Sequence, residues 1–136
     1  MSPGATAPNI ALLDSDGKAL YLKDLRGKFL YISVWASGYG EMDEEVQTEW
    51  KKLVEEYKDK NILFATFCMG PSQWLGQVKN LPGEHYVVNN TYAFYSRYML
   101  IVMPRYMLID PEGRIVDVDA PKPSSSAKLL LRSVGL

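Results

Sequence analysis

Few side chains in this sequence could carry out covalent chemistry. Its 136 residues contain one cysteine, Cys68, and one histidine, His85. A dithiol reaction needs one thiolate to attack and a second thiol to resolve the mixed disulfide, so this chain cannot complete that reaction alone. Cys68 could act only as a lone thiol, forming a mixed disulfide or a sulfenic acid. Single cysteines are more often small buried hydrophobes, and we expect that role here.

A metal site has little support in the sequence. Zinc would need more cysteine and histidine ligands than Cys68 and His85 supply. The acids Glu41, Asp43 and Glu44 are close enough in sequence to suggest a carboxylate site. Acids at the start of a helix usually stay solvated and offset the positive end of the helix dipole, so we favour that role.

Two other catalytic patterns are equally weak. Ser37 and His85 could belong to a hydrolase triad, but neither lies in the sequence context of a known nucleophile. His85 is expected in a loop over residues 82–86. Gly38-x-Gly40 lacks the lysine and the spacing of a phosphate-binding loop. We therefore expect no cofactor.

Tyrosines are concentrated in the second half of the chain. Tyr92, Tyr95 and Tyr98 recur every three residues, and we expect them to form one stripe of a helix that packs onto a sheet. Alternatively, some of them converge with Tyr39 and Met103 into an aromatic and thioether patch suited to an extended peptide. The sequence favours the packing interpretation.

The composition is that of an ordinary soluble domain. Apolar residues make up 47%, charged residues 23%, and the net charge is −1, which favours neither nucleic acid nor an anionic membrane as a partner. The apolar runs at 29–36 and 99–103 are too short to cross a bilayer, so we expect no membrane insertion. We predict one domain over 1–136, without a visible export signal. A domain taken from a longer exported protein would have the same appearance.

Strands and helices alternate in the elements that position these residues. The runs 28–36 and 61–68 are apolar throughout, which is typical of central strands covered on both faces. Between them, residues 41–58 place apolar side chains at spacings of three and four and predict an amphipathic helix. Acids at its start and lysines toward its end agree with that assignment.

Two hairpins and three shorter helices complete the expected fold. Turns rich in Asp and Gly join 10–13 to 19–22 and 106–109 to 115–118. The shorter helices are predicted at 73–79, 90–98 and 126–134, with a short strand between the first two. This order predicts a three-layer α/β sandwich, in which a mixed central β-sheet with an N-terminal β-hairpin has helices on both faces.

The turn after the first central strand resembles a known motif. Residues 35–42 read Trp-Ala-Ser-Gly-Tyr-Gly-Glu-Met. They resemble the Trp-Ala-x-Trp-Cys-x-x-Cys segment of thioredoxin-like proteins of the TlpA/ResA kind, within the wider AhpC/TSA and thioredoxin-fold superfamily. In this register Trp35 and Ala36 match, whereas Tyr39 and Met42 replace the two cysteines.

The resemblance extends over nearly the whole chain. Residues 7–12 resemble the family's first strand, and residues 22–28 resemble its lead into the central strand. Residues 102–110 resemble the segment whose cis-proline faces the cysteine pair. Pro104 is therefore the candidate cis-proline, since X-Pro is the bond at which the cis form costs little.

The resemblance implies a thioredoxin-like fold without the family's dithiol activity. We expect a protein- or peptide-binding module whose contacts come from Trp35, Tyr39, Met42, Met103 and Pro104. The alternative is a thiol-disulfide oxidoreductase or antioxidant-type protein that works through its single thiol. The resemblance also implies a bacterial protein of the cell envelope or periplasm.

Overall fold

A mixed β-sheet organises the computed structural model, which describes residues 2–36, 42–70, 78, 80–99 and 105–136. Within these ranges the sheet has seven strands in the order β2-β1-β5-β4-β3-β6-β7. β3 pairs in parallel with β4, and β4 with β5, while the remaining neighbours are antiparallel. The strands are β1 (Ala11–Leu13), β2 (Ala19–Tyr21), β3 (Phe29–Ala36), β4 (Ile62–Met69), β5 (Glu84–Val88), β6 (Arg105–Ile109) and β7 (Ile115–Asp117).

The long amphipathic helix lies within the predicted range 41–58 but is shorter at both ends, from Glu44 to Glu56. Its first residue is set by Asp43, whose side chain accepts a hydrogen bond from the Val46 amide at 2.8 Å and so caps the helix. The predicted helix at 73–79 lies outside the described residues, apart from residue 78. The helices of the described part are α1 (Glu44–Glu56), α2 (Thr91–Tyr98) and α3 (Ala127–Ser133), with a short 3-10 helix at Leu22–Leu25.

Both faces of the sheet are covered, as the apolar central strands predict. On one face, alternate residues of β3 pack with Phe94 and Tyr98 of α2. On the other face, Tyr31 and Trp35 of β3 pack with Trp50 of α1 and with residues of α3. Trp50 is fully buried, and its indole N–H donates to the Pro82 carbonyl at 2.9 Å. The fold is therefore a three-layer α/β sandwich with an N-terminal hairpin.

The expected loop around His85 is wrong, because His85 lies in β5. The strand forms because Tyr86 and Val88 point into the core on one face of the sheet, while Val87 between them packs against the core on the other face. Gly83 precedes the strand with a φ of +102°, and a Cβ there would lie 2.5 Å from the Phe64 carbonyl oxygen. This backbone position therefore accommodates only glycine without a shift of β4.

The N-terminal segment lies against the outer edge of β7. The Gly4 amide donates to the Ile115 carbonyl at 2.7 Å, the Ile115 amide to the Ala5 carbonyl at 2.8 Å, and the Ala7 amide to the Gly113 carbonyl at 2.8 Å. Within the described residues, β2 at the opposite edge pairs only with β1.

Candidate functional site

The carboxyl ends of the central strands β3 and β4 lie side by side at one end of the sheet, which we call the sheet edge of the site. The two strands are parallel, and Ala36 pairs with Met69 in the last register position. β6 runs antiparallel to β3 and begins near this edge, with Arg105 opposite Val34. Ligands of open α/β sheets usually bind at the carboxyl ends of the strands, so a ligand site is expected here.

Three candidate binding residues cannot be placed. Tyr39, Met103 and Pro104 lie outside the described residues. The neighbouring described residues, Ala36 and Arg105, are both at the sheet edge defined above. A role for the three candidates therefore stays a prediction from the sequence.

The other two candidate binding residues are buried. Trp35 is 2% exposed, and its indole N–H donates to the Ser33 hydroxyl at 2.8 Å. Met42 is 4% exposed and belongs to the same apolar cluster as Trp35. Both side chains therefore stabilise the core under α1 and present almost no surface to a partner.

The only thiol is also inside the molecule. Cys68 lies opposite Trp35 in the β3–β4 register and is 2% exposed. The expectation of a small buried residue is therefore confirmed. A reactive thiol is usually accessible and close to positive charge, whereas Cys68 belongs to an apolar cluster.

Both ring nitrogens of His85 have structural partners. Nε2 lies 2.8 Å from the Leu81 carbonyl oxygen, and Nδ1 lies 2.8 Å from the Thr66 hydroxyl. Because a carbonyl can only accept, Nε2 carries a proton, and in the neutral ring the Thr66 hydroxyl donates to Nδ1. The ring thus ties β5 to β4, an arrangement that leaves neither nitrogen available to a nucleophile.

The acids at the start of α1 do not form a metal site with other described residues. Among these residues, no group of three His, Cys, Asp or Glu side chains is placed to hold a metal ion. Asp43 caps the helix instead. Likewise, no helix in the described ranges combines the length and apolar character needed to cross a membrane.

The expected packing of the tyrosine stripe is wrong for two of its three members. Tyr98 is 2% exposed, but Tyr92 is 82% exposed and Tyr95 is 51% exposed. α2 packs on the sheet through Phe94 and Tyr98, which are four residues apart. Tyr92, Tyr95 and the exposed Met99 follow at spacings of three and four along the neighbouring face.

The two exposed tyrosines border an open groove at the carboxyl ends of the central strands. The groove has a volume of about 340 Å³ and is lined by Ala36, Met69, Thr91, Tyr92 and Tyr95. We call it the α2 groove. Its lining is mostly apolar, with aromatic rings on the α2 side and the ends of β3 and β4 on the other. The arrangement suits a ligand with apolar side chains, and the lining residues that the structure describes include no acid or base for catalysis.

Buried tyrosines are not candidates for acid–base chemistry near neutral pH. Burial raises the pKa of Tyr86 to about 12, with a further contribution from Glu84 and Asp14. Burial also raises the pKa of Tyr106 to about 12, although its hydrogen bond with Ser33 acts in the opposite direction. Both phenols therefore stay protonated over the physiological range.

A second pocket lies on the opposite side of α2, next to the N-terminal hairpin. It has a volume of about 210 Å³ and is lined by Asn9, Ile10, Ala11, Tyr21, Asn90, Ala93 and Arg97. We call it the hairpin pocket. No sequence pattern marks this pocket, because its residues come from separate parts of the chain and match no motif. The Arg97 guanidinium joins two of these parts by donating to the Asn9 carbonyl at 2.8 Å.

The comparisons with curated proteins agree with the resemblance described above. The profile of the Redoxin family matches residues 2–130. The thiol-disulfide oxidoreductase ResA of Bacillus subtilis is 27% identical over 126 residues, which cover 87% of this chain and 67% of that protein. ResA of Bacillus thuringiensis is 25% identical over 122 residues, with 86% and 69% covered.

Solved structures confirm the thioredoxin-like sandwich. A putative thiol-disulfide oxidoreductase from Bacteroides vulgatus superposes with a TM-score of 0.84 at 28% identity, covering 98% of this chain and 96% of the other. The thioredoxin domain of another thiol-disulfide oxidoreductase from the same organism gives a TM-score of 0.79 at 19% identity, with 99% of both chains covered. The single cysteine of this chain is consistent with loss of the cysteine pair.

Proposed function

This chain belongs to the Redoxin family, and we propose that it is a thioredoxin-fold binding module that holds a polypeptide segment without carrying out dithiol exchange. One observation carries the proposal. Two exposed tyrosines border a groove at the functional edge of the sheet, while the only thiol is buried. Binding surface and redox group are therefore separated, unlike the arrangement that thiol exchange requires.

The chemistry of the α2 groove supports a polypeptide as its ligand. Tyr92 and Tyr95 offer large apolar faces with a polar tip, which is typical of residues that contact protein partners. Met69 lines the groove at the end of β4 but is only 9% exposed, so the two aromatic rings supply most of the described contact surface for apolar side chains of a partner.

The exposed area favours a short segment over a folded partner. The two tyrosines that line the α2 groove, Tyr92 and Tyr95, are 82% and 51% exposed. Taking roughly 200 Å² for each full side chain, together they offer on the order of 300 Å². A stable protein–protein interface buries about 800 Å² on each side. The surface is therefore better matched to a few residues of extended chain.

Labelled ten-residue peptides that alternate apolar and polar residues would test this proposal by fluorescence anisotropy. We expect Tyr92→Ala and Tyr95→Ala each to weaken binding about tenfold, the effect of losing an aromatic contact of about 1.4 kcal/mol. The matched control is Tyr21→Ala, because Tyr21 is also 51% exposed but lies on the other side of α2. Equal losses in all three variants would contradict binding in the α2 groove.

Loss of the dithiol reaction can be tested by insulin reduction with dithiothreitol as the electron donor. We expect no activity above background in the wild type. Activity that appears only in the double variant Tyr39→Cys/Met42→Cys would support a scaffold that lacks nothing but its thiols. Wild-type activity that disappears in Cys68→Ala would refute the proposal.

A second candidate function is thiol exchange through Cys68. The observation in its favour is that the relatives reported above are named thiol-disulfide oxidoreductases. Burial of Cys68 at 2% exposure argues against it, because a thiolate must reach the disulfide that it attacks. Labelling by a thiol reagent decides between the two. We expect the folded protein to react at least a hundredfold more slowly than the urea-unfolded chain, whereas similar rates would favour the second candidate.

We also propose that the protein works in the bacterial cell envelope. The support is the family resemblance alone. Fractionation of cells that express the natural full-length gene would test this location, with recovery only in the cytoplasmic fraction as the contradicting result.

A further inference from the structure

The hairpin pocket is lined by side-chain amides whose orientation is determined by the backbone. The Asn9 side-chain oxygen accepts from the Lys23 amide at 3.1 Å, and the Asn90 side-chain oxygen accepts from the Ala93 amide at 3.0 Å. Only the oxygen of an asparagine side chain can accept, so the backbone amides occupy the two oxygens. The two NH₂ groups are then the polar groups left to contact a ligand. Neither NH₂ group donates a hydrogen bond to any described residue.

The charged groups at and beside the pocket are Arg97, Lys23 and Asp24. Arg97 lines it and uses one guanidinium nitrogen for the Asn9 carbonyl, which leaves its other N–H groups as donors. The Lys23 ammonium lies 5.7 Å from the centre of the Tyr21 ring, which also lines the pocket. The nearby Asp24 carboxylate accepts from the Tyr21 amide at 2.8 Å and keeps its negative charge, which offsets that of Lys23. Among the described lining residues the charge that a ligand meets is therefore the positive charge of Arg97, beside the amide donors of Asn9 and Asn90.

We propose that the hairpin pocket binds a small organic acid, with its carboxylate at the donors of Asn9, Asn90 and Arg97 and its apolar body against Tyr21. Charge-assisted hydrogen bonds from a guanidinium and amides are well suited to a carboxylate. The volume of about 210 Å³ exceeds the space that an inorganic anion needs, given about 30 Å³ for one water in the liquid. The side chains of Ile10, Ala11 and Ala93 add apolar lining for the rest of the ligand.

This site is independent of the peptide groove. The residues of the hairpin pocket on α2 are Asn90, Ala93 and Arg97, whereas Tyr92 and Tyr95 border the α2 groove. At 100° per residue, the two sets lie on opposite sides of the helix. Failure to bind at one site would therefore leave binding at the other unaffected, and variants of each site test the two proposals separately.

NMR titration of the ¹⁵N-labelled protein at constant ionic strength would test the proposal with benzoate, benzamide and acetate. We expect saturable shifts of the Asn9, Ala93 and Arg97 amide signals with benzoate. Benzamide should bind at least tenfold more weakly because it lacks the charge, and acetate more weakly because it lacks the ring. Absence of saturation with benzoate, or equal binding of benzamide, would overturn the proposal.

The decisive variant is Asn90→Asp, which keeps a side-chain oxygen to cap α2 but replaces the donor NH₂ with negative charge. We expect it to weaken benzoate binding at least tenfold. Its matched control is Asn89→Asp, which adds the same charge at the neighbouring exposed position and should change the affinity less than threefold. Equal losses would mean that net charge alone is responsible and would overturn the proposal.

Two further arms identify the source of the carboxylate and separate the two sites. A hexapeptide that ends in phenylalanine and binds as tightly as benzoate would overturn the assignment to a free small acid in favour of a polypeptide terminus. Tyr21→Ala should weaken benzoate binding severalfold, while Tyr95→Ala should leave it unchanged. The reverse pattern would place the acid in the α2 groove and refute the hairpin pocket.

Discussion

The buried tyrosines under α1 and the two exposed tyrosines of α2, Tyr92 and Tyr95, have different roles in the same fold. Tyr31 and Tyr106 stack with ring centres 5.8 Å apart, and the Tyr31 hydroxyl donates to the Pro121 carbonyl. Tyr92 and Tyr95 instead stand at the end of the sheet, where β3 and β4 no longer cover the helix face. Whether an aromatic residue is structural or available to a ligand therefore depends more on whether the sheet covers its ring than on its spacing along the chain.

The largest difference in stability is expected at Trp50, which packs with the buried tyrosines Tyr31 and Tyr106. Its ring centre lies 6.0 Å from that of Tyr31 and 5.7 Å from that of Phe64. We expect Trp50→Ala to lower the free energy of unfolding by about 3–5 kcal/mol, because it leaves a large cavity. Tyr92→Ala should change it by less than about 0.5 kcal/mol. Urea denaturation of both variants measures the contrast, and similar losses would remove the distinction between the two regions.

High pH should destabilise the fold through buried tyrosines on both faces of the sheet, Tyr86 on one and Tyr106 on the other. The pKa of Tyr86 and of Tyr106 is about 12 in the folded protein, against about 10 in an unfolded chain. The unfolded state therefore releases these protons first, so their stabilisation is complete below pH 10 and is lost as the pH rises toward 12. Urea denaturation at pH 9, 10 and 11 should show the free energy of unfolding falling. In Tyr106→Phe we expect a shallower fall, and an unchanged slope would contradict this role of Tyr106.

The smallest effect is expected from removing one hydroxyl group, that of the buried Tyr98 or that of the exposed Tyr95. The Tyr98 hydroxyl donates to the Pro8 carbonyl, which joins α2 to the N-terminal segment. Tyr98→Phe leaves that carbonyl without its partner and should cost about 1–2 kcal/mol of stability. Tyr95→Phe removes the same atom from an exposed ring and should cost almost nothing. Thermal unfolding of the two variants checks the pair, and equal midpoints would contradict the structural role of the Tyr98 hydroxyl.

The sequence was informative where local pattern and burial agree. β3 and β4 form at the apolar runs, because a strand covered on both faces needs apolar residues on both. α1 forms where apolar residues recur at helical spacing, and Asp43 marks its start by capping. These features depend on residues close together in the chain, so the alternation of elements and the sandwich could be predicted.

Features that depend on distant residues could not be predicted. Tyr92, Tyr95 and Tyr98 have the spacing of a packed stripe. The helix is nevertheless oriented so that Phe94 and Tyr98 contact the sheet. Burial of Met42 likewise depends on packing under α1. The hairpin pocket brings Asn9 together with Arg97, which are 88 positions apart, and no local pattern encodes that contact.

The pairing of the first residues with β7 has a consequence for how the protein behaves at high concentration. An uncovered strand edge is a template on which another chain can add, and aggregation often begins there. Residues 4–7 occupy one such edge through the backbone hydrogen bonds around Ile115. Their removal would leave two edges for intermolecular pairing, so a shortened chain could grow into open-ended assemblies although its core is intact. Keeping residues 4–7 in place thus protects the protein in solution against aggregation.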